Sequence, residues 1–295
     1  MTDSTLDPAV ADTPLIIQKK SRFRAVFSKD RKAQFGIFIL LTFTLGAVLA
    51  PWIAPYDPNE MTLDMMGSPT WDHFLGTDDL GRDLFSRILY GTQISLFVGV
   101  STVAISLFFG VLLGVLAGYY GGWIDMIIMR YIDLQWAFPN FIIAVYLVAV
   151  FGTGLLNVIV AISLAFLDDF ARIARSMVLT LKEEQFVDAA RVQGFSDLRI
   201  MIRHILPNAM APIIVQATVS VSYAILGEAS LSFLGLGVRA DTATWGLILA
   251  DGRSFITSAW WLGLYPGLAI MLVVLAINFI GDALRDALDV RESDI

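Results

Sequence analysis

The chain alternates long uncharged runs with short charged stretches. Lys32 to Asp57 leaves 24 uncharged residues, Arg87 to Asp125 leaves 37, Asp133 to Asp168 leaves 34, Arg203 to Glu228 leaves 24 and Arg253 to Asp282 leaves 28. A helix needs about 20 apolar residues to cross hydrocarbon. The first, second, fourth and fifth runs therefore each hold one span. The third holds two short ones joined at FGTGLLN (151–157), where the glycines form a hinge. The pattern predicts an all-α integral membrane protein with six transmembrane helices.

Polar positions interrupt this pattern most between 180 and 208. Leu179 to Gln193 contains no glycine or proline, and Phe186, Ala189, Ala190 and Gln193 share one helical face. Lys182, Glu183, Glu184, Asp188 and Arg191 face elsewhere. Gly194 permits the left-handed residue that stops a helix, and Ser196 is placed to cap a second one. In that second helix Leu198, Met201, Ile202 and Ile205 recur at helical spacing, until Pro207 breaks the pattern before the next span. The two alanines are expected to leave a shallow surface for another protein's side chains. A helix lying on lipid would carry bulky apolar residues opposite Lys and Arg. Residues 182–193 hold three acids and two bases, so the docking reading is preferred.

Composition agrees with the span count. Hydrophobic residues make up 57% and charged residues 16%, against about 45–50% and 25% in soluble domains. Sixteen of the 20 Lys and Arg fall in the amino-terminal tail, the turn at Arg130, the 170–212 segment and the carboxyl tail. Arg82, Arg87, Arg239 and Arg253 fall on the other side, which puts both termini and the 170–212 segment in the cytoplasm. The segment Ala33–Ile53 is too long for the apolar core of an export signal and follows a basic run, so it is read as a retained span. A net charge of −7 argues against nucleic acid, and the absence of cysteine removes thiolate metal sites and disulfides. No G-x-x-x-x-G-K-[ST] loop and no nucleophile–base set is present, so the chain is read as a non-enzyme that binds no cofactor.

Several residues invite chemistry. Asp72, His73, Asp78, Asp79 and Asp83 suggest a metal, but a solvated acidic loop is the preferred reading, with Asp78 or Asp79 capping a helix that starts near Arg82. Glu228, an acid inside an apolar run, is the candidate for a solute path together with Ser232. Asp282 and Arg285 are one turn apart and are read as a local ion pair. Gly110, Gly114 and Gly118 line one helix face, for contact with a partner subunit or for internal packing.

Asp188-Ala189-Ala190, then Gly194, then Leu206-Pro207 resemble the cytoplasmic EAA loop of membrane subunits of bacterial ATP-driven (ABC) importers. LGTDDLGRDLFSRILYG (75–91), ILGEASLSFLGLG (225–237) and NFIGDALRDALD (278–289) resemble the second permease subunit of dipeptide, oligopeptide and nickel importers. Asp188 stands where glutamate is usual, His204 where an aliphatic residue is common, and VRADTATWG (238–246) where a proline-rich run is common. The resemblance implies a type I ABC importer fold with a tail (1–32), a first span plus outer loop (33–90), a permease domain (91–285) with a coupling loop at 180–208, and a second tail (286–295). It implies that Phe186, Asp188, Ala189, Ala190, Gly194, His204, Leu206 and Pro207 contact an ATPase, with His204 hydrogen-bonding or packing there. The implied partners are a homologous permease, two cytoplasmic ATPases that use ATP and Mg, a periplasmic or lipid-anchored solute-binding protein and membrane lipid. The implied location is the bacterial cytoplasmic (inner) membrane. Peptides are the expected cargo, with nickel or another small solute as the alternative. An ion-coupled carrier would need more buried acids than Glu228, and a membrane-embedded enzyme lacks its constellation.

Overall fold

The computed structural model describes residues 27–239 and 241–288. The basic residues Lys19, Lys20, Arg22 and Arg24 and the carboxyl tail from Asp289, with Arg291, lie outside the described residues. Among those described the chain is helical: α1 (Arg31–Ile53), α2 (Leu84–Tyr120), α3 (Gly122–Trp136), α4 (Asn140–Phe151), α5 (Leu155–Ala165), α6 (Leu167–Leu181), α7 (Gln185–Val192), α8 (Asp197–Ile200), a π turn (Met201–Ile205), α9 (Leu206–Phe233), α10 (Trp245–Gly252) and α11 (Trp261–Leu288). Helix α11 runs through Leu288, so the boundary expected at 286 falls inside it.

By length and apolarity the expected six spans reduce to four: α1, α2, the continuous run Asp197–Phe233, and α11. The pair α3 and α4 makes a fifth, bent by 91°. Pro139 explains the bend, because its ring excludes Phe138 from helical backbone and leaves no N–H to continue the ladder. The remaining expected span is not one apolar helix. Helix α5 has 11 residues, and α6 carries Asp168, Asp169, Arg172 and Arg175.

Helices α5 and α6 nevertheless follow a spanning helix. Ser163 Oγ donates to Thr102 O, and Ser106 Oγ donates to Ser163 O at 2.8 Å. A Cβ on Gly110 would strike Leu167 and Phe170, one on Gly114 would strike Ala171 and Ala174, and one on Gly118 would strike Arg175 and Val178. The numbers rise together, so α5–α6 runs parallel to α2 over residues 102–118, roughly 24 Å at 1.5 Å per residue. The glycine stripe is thus an internal seam, where missing side chains let two backbones close.

The same contacts sort the loops into two ends. At one end, Tyr56 N–H donates to Ser86 Oγ, Gly154 N–H to Gly237 O, and Arg82 pairs with Asp251 at 3.4 Å. This end holds the 54–83 loop, the 152–154 hinge and α10. At the other end, Lys182 Nζ donates to Gly118 O, and Tyr119 OH donates to Asp197 Oδ1 at 2.7 Å. Asp30, Lys32, Asp282 and Arg285 border one cavity. Both ends of the described chain lie there, because α1 starts where α11 finishes. Asp282 and Arg285 do not form the expected ion pair.

The 54–83 loop is built rather than solvated. Asp83, not Asp78 or Asp79, caps α2 by accepting from Ser86 N–H, and its other oxygen meets His73 Nδ1 at 2.9 Å. Asp78 accepts from Arg82 Nε at 2.6 Å, and Trp261 Nε1 donates to Thr77 O. His73, Asp78 and Asp83 are buried, so desolvation is offset by pairing and not avoided by exposure.

Candidate functional site

The hairpin at 182–205 is the largest departure from the bundle. Glu184 is extended (φ −77°, ψ 144°), which ends the run from α6 and starts α7 in a new direction. Ten residues later Gly194 takes φ +77° and turns the chain again. Phe195 N–H then donates to Ala190 O, and Gly194 N–H to Arg191 O, closing carbonyls that α7 leaves open. Ser196 occupies the cap position of α8 with extended backbone, but its hydroxyl makes no capping bond.

One face of α7 is anchored. Val187 and Ala190 are buried in the same core as Ile200, Met201, Ile205 and α6. The expectation of two alanines on the open face is therefore corrected: Ala190 is 2% exposed and points inward, and Ala189 is exposed. A step of about 100° separates neighbours on a helix, so 189 and 190 border different sectors. The open surface is Phe186, Asp188, Ala189, Val192 and Gln193, with Val192 89% exposed. On the second arm Leu198 and Ile202, four residues apart, are also exposed. Asp188 and Arg191 pair at 3.1 Å on the surface.

Pro207 does not break the second arm. Leu206 N–H bonds to Met201 O, five residues back, so the helix widens by one residue as it meets Pro207. The wider π turn gives the ring room and absorbs its missing donor, and Asp197–Phe233 stays one 37-residue run. Sequence spacing carries no sign of this. His204 stacks on Phe195 (centroids 5.6 Å apart, planes 22°), and the Arg199 guanidinium lies 4.2 Å from the same ring. The histidine thus braces the hairpin internally. The four-residue spacing of Phe195 and Arg199 was a readable signal for half of that stack.

Polar links between α3 and α6, upstream of the hairpin, escaped the sequence reading. Arg175 grips Asp125 with two bonds of 2.5 and 2.6 Å, and Arg172 reaches Asp133 at 2.7 Å. Fifty residues separate the first pair, and no local pattern encodes such a contact.

Glu228 and Ser232 are not on an open face. Both are fully buried, with Ser232 Oγ donating to Glu228 Oε1 at 2.7 Å. They lie where α9 packs on α10, since a Cβ on Gly246 would strike Ala229. The opposite face of α9 is open: Tyr223, Leu226, Ser230 and Phe233 border two cavities of about 290 and 510 Å³.

Residues 110–294 match the family described as binding-protein-dependent transport system inner membrane component. Residues 21–69 match the N-terminal transmembrane domain of oligopeptide transport permease C. The dipeptide transport system permease protein DppC of Alkalihalophilus pseudofirmus is 48% identical over 88% of this chain and 86% of its own length. The di/tripeptide transport system permease protein DppC of Pseudomonas aeruginosa is 46% identical over 89% of each chain. The glutathione transport system permease protein GsiD of Pectobacterium atrosepticum is 40% identical over 96% of this chain and 94% of its own. In shape, a chain of the inward-facing MetNI methionine ABC transporter superposes with a TM-score of 0.55 at 18% identity, covering 68% of this chain and 94% of the other.

Proposed function

Given that the chain belongs to the family of binding-protein-dependent transport inner-membrane components, and is the non-catalytic permease of such a system, we propose that its cargo is a peptide and that the 182–205 hairpin receives the drive. The carrying observation is mechanical. An exposed docking surface on α7 is joined through a braced turn to a helix that continues unbroken into a span. Force applied at Phe186, Asp188 and Ala189 passes to the core through Val187 and Ala190. It reaches α9 through the arm that holds His204, Leu206 and Pro207.

In this reading two ATPase subunits, which bind ATP and Mg, grip the hairpins of this chain and of a homologous permease. Their closure tilts α6 and α9 and alternates access to a path between the permeases. Solute arrives from a periplasmic or lipid-anchored binding protein. This chain's contribution to the path is the open face of α9 with Tyr223 and Ser230, while Glu228 and Ser232, bonded to each other, lie buried behind it where α9 meets α10. The hairpin and both tails lie in the cytoplasm, as the distribution of Lys and Arg supports. Six crossings follow when α5–α6 is counted beside α2. Peptide cargo rests on the dipeptide and di/tripeptide relatives, and the glutathione relatives leave a peptide-like thiol as the second candidate.

The test is co-purification and uptake. Asp188→Lys with Ala189→Glu should abolish recovery of the ATPase with the permease pair and reduce dipeptide uptake at least tenfold, with membrane insertion unchanged. Full ATPase recovery from that variant would refute the coupling role.

A further inference from the structure

Two acids stand midway along α5–α6, and no described Lys or Arg forms an ion pair with either. Gly110 faces Leu167 and Phe170 and lies ten residues before Tyr120, where α2 ends. Asp168 and Asp169 are therefore about 15 Å from that end, near half the thickness of a hydrocarbon core. An uncompensated carboxylate at that depth is costly and marks a functional position. Asp168 is fully buried against α3, where Gln135 Nε2 meets its Oδ1 at 3.4 Å, yet its Oδ2 and the buried Gln135 Oε1 have no partner. Asp169 is half-buried and makes no hydrogen bond or ion pair among the described residues. Arg172 spends an N–H on Asp133 and leaves its Nε without an acceptor, so it closes neither aspartate. The carbonyls of Leu164 and Ala165, at the end of α5, take Gln135 Nε2 and add the negative end of a half-helix.

Helical phase decides which way Asp169 faces. Ser163 on α5 and Leu167, Phe170 and Ala174 on α6 all turn toward α2, so the break at Phe166 does not rotate the helix. At about 100° per residue Asp169 then shares a side with Ile162, Ala165 and Phe166, which precede it by seven, four and three positions. Those three wall a cavity of about 290 Å³ whose far side is the open face of α9. Its walls are mainly apolar, and two polar side chains that border it, Asn140 at the bend and Tyr223, make no hydrogen bond. An apolar recess with a few placed polar groups beside an unbalanced carboxylate suits a small amphipathic cation. Among the described residues no three acids or histidines converge as they do around a metal ion, which favours an organic cation. We propose that Asp169 receives the α-ammonium of the peptide cargo as it passes between the permeases, with Asn140 and Tyr223 offered to its amide groups. This deepens the peptide reading above and rests on it.

The test is equilibrium dialysis of tritiated alanyl-alanine against the permease pair with its ATPases, in nanodiscs and without the solute-binding protein. Propionyl-alanine, which keeps the outline but lacks the ammonium, should compete at least tenfold less well than unlabelled alanyl-alanine. Asp169→Asn should weaken alanyl-alanine binding at least tenfold and remove that preference, and Asp169→Glu, which keeps the charge, should retain it. In proteoliposomes with saturating solute-binding protein, the maximal rate of alanyl-alanine uptake should fall in the same order. The melting temperature of the Asp169→Asn complex should equal or exceed that of wild type, because an unpaired charge has been removed. Equal competition by the two compounds in wild type, or unchanged binding in the Asp169→Asn variant, overturns the proposal. A lower melting temperature in that variant also overturns it, by making the aspartate a structural anchor. So does loss of the sister permease on purification, which would give the carboxylate to a cation of that subunit. So, too, does a Na⁺ or K⁺ requirement of wild-type uptake that Asp169→Asn removes, which would give it to a metal ion. Wild-type proteoliposomes that take up no dipeptide sink the peptide reading beneath, and are recognised because wild type itself fails.

Discussion

At residue 194 the structure separates two costs that a substitution usually mixes. A Cβ there meets nothing within 4 Å, so the objection to a side chain is its backbone, held at φ +77°. An L-residue in that region costs roughly 1–2 kcal/mol, less for asparagine and more for a β-branched residue. Uptake should therefore fall in the order Gly194→Asn, Gly194→Ala, Gly194→Val, with equal amounts of each variant in the membrane by immunoblot. Equal uptake in the valine variant would show that the turn does not transmit force. Glu228 offers the opposite case, a side chain defined by its contacts. Glu228→Gln keeps an acceptor for Ser232 and should leave uptake within about twofold. Glu228→Ala removes that acceptor and leaves a hole, which should cost about 2–4 kcal/mol, seen as a lower melting temperature of the purified complex. A large loss of uptake in the glutamine variant, without a change in melting, would return this carboxyl to the solute path.

The seam between α2 and α6 explains what was legible at the scale of elements. The four-residue glycine spacing announced a close helix contact, but a stripe names a face and not the helix that covers it. Partners 57–60 residues away were beyond any local pattern. The glycine hinge at 152–154 announced a short span after it, but not its charged continuation in α6, whose Arg175 and Arg172 are received by Asp125 and Asp133 on α3. The glycine stop at 194 and the outward Asp188 were legible because they are local. The burial of Ala190 and the π turn at Pro207 were not, since both depend on what packs behind the hairpin. Two substitutions probe this element. Gly114→Leu drives a side chain into the Ala171 carbonyl and should abolish accumulation of the protein. Between Arg175 and Asp125, which hold two bonds while partly exposed, a double-mutant cycle with Arg175→Gln and Asp125→Asn should return a coupling of about 1–2 kcal/mol in thermal melts. Additive effects would mean that solvent screens the pair.

For the whole molecule the decisive quantity is the number of crossings, because the roles of the two ends depend on it. Apolarity alone counts four spans, or five with the bent pair, and the proposed sixth rests on the parallel run of α5–α6 beside α2. The alternatives differ in where three exposed positions lie. With six crossings, 63 and 153 share one side and 192 lies on the other. If α3–α4 alone turns back without crossing, 153 changes side and 192 changes with it, so that 192 joins 63 and 153 stands opposite both. If α5–α6 does not cross, 192 joins 63 and 153. The chain contains no cysteine, so Leu63→Cys, Thr153→Cys and Val192→Cys each carry a single thiol. In intact spheroplasts a membrane-impermeant maleimide should label 63 and 153 within minutes and reach 192 only after the membrane is opened. Labelling of 192 in sealed spheroplasts would move the hairpin outside, away from any ATP, and the coupling mechanism would lose its motor. Failure at 153 alone would keep the motor but require that neither α3–α4 nor α5–α6 crosses, which leaves four crossings and makes α3–α4 a re-entrant loop.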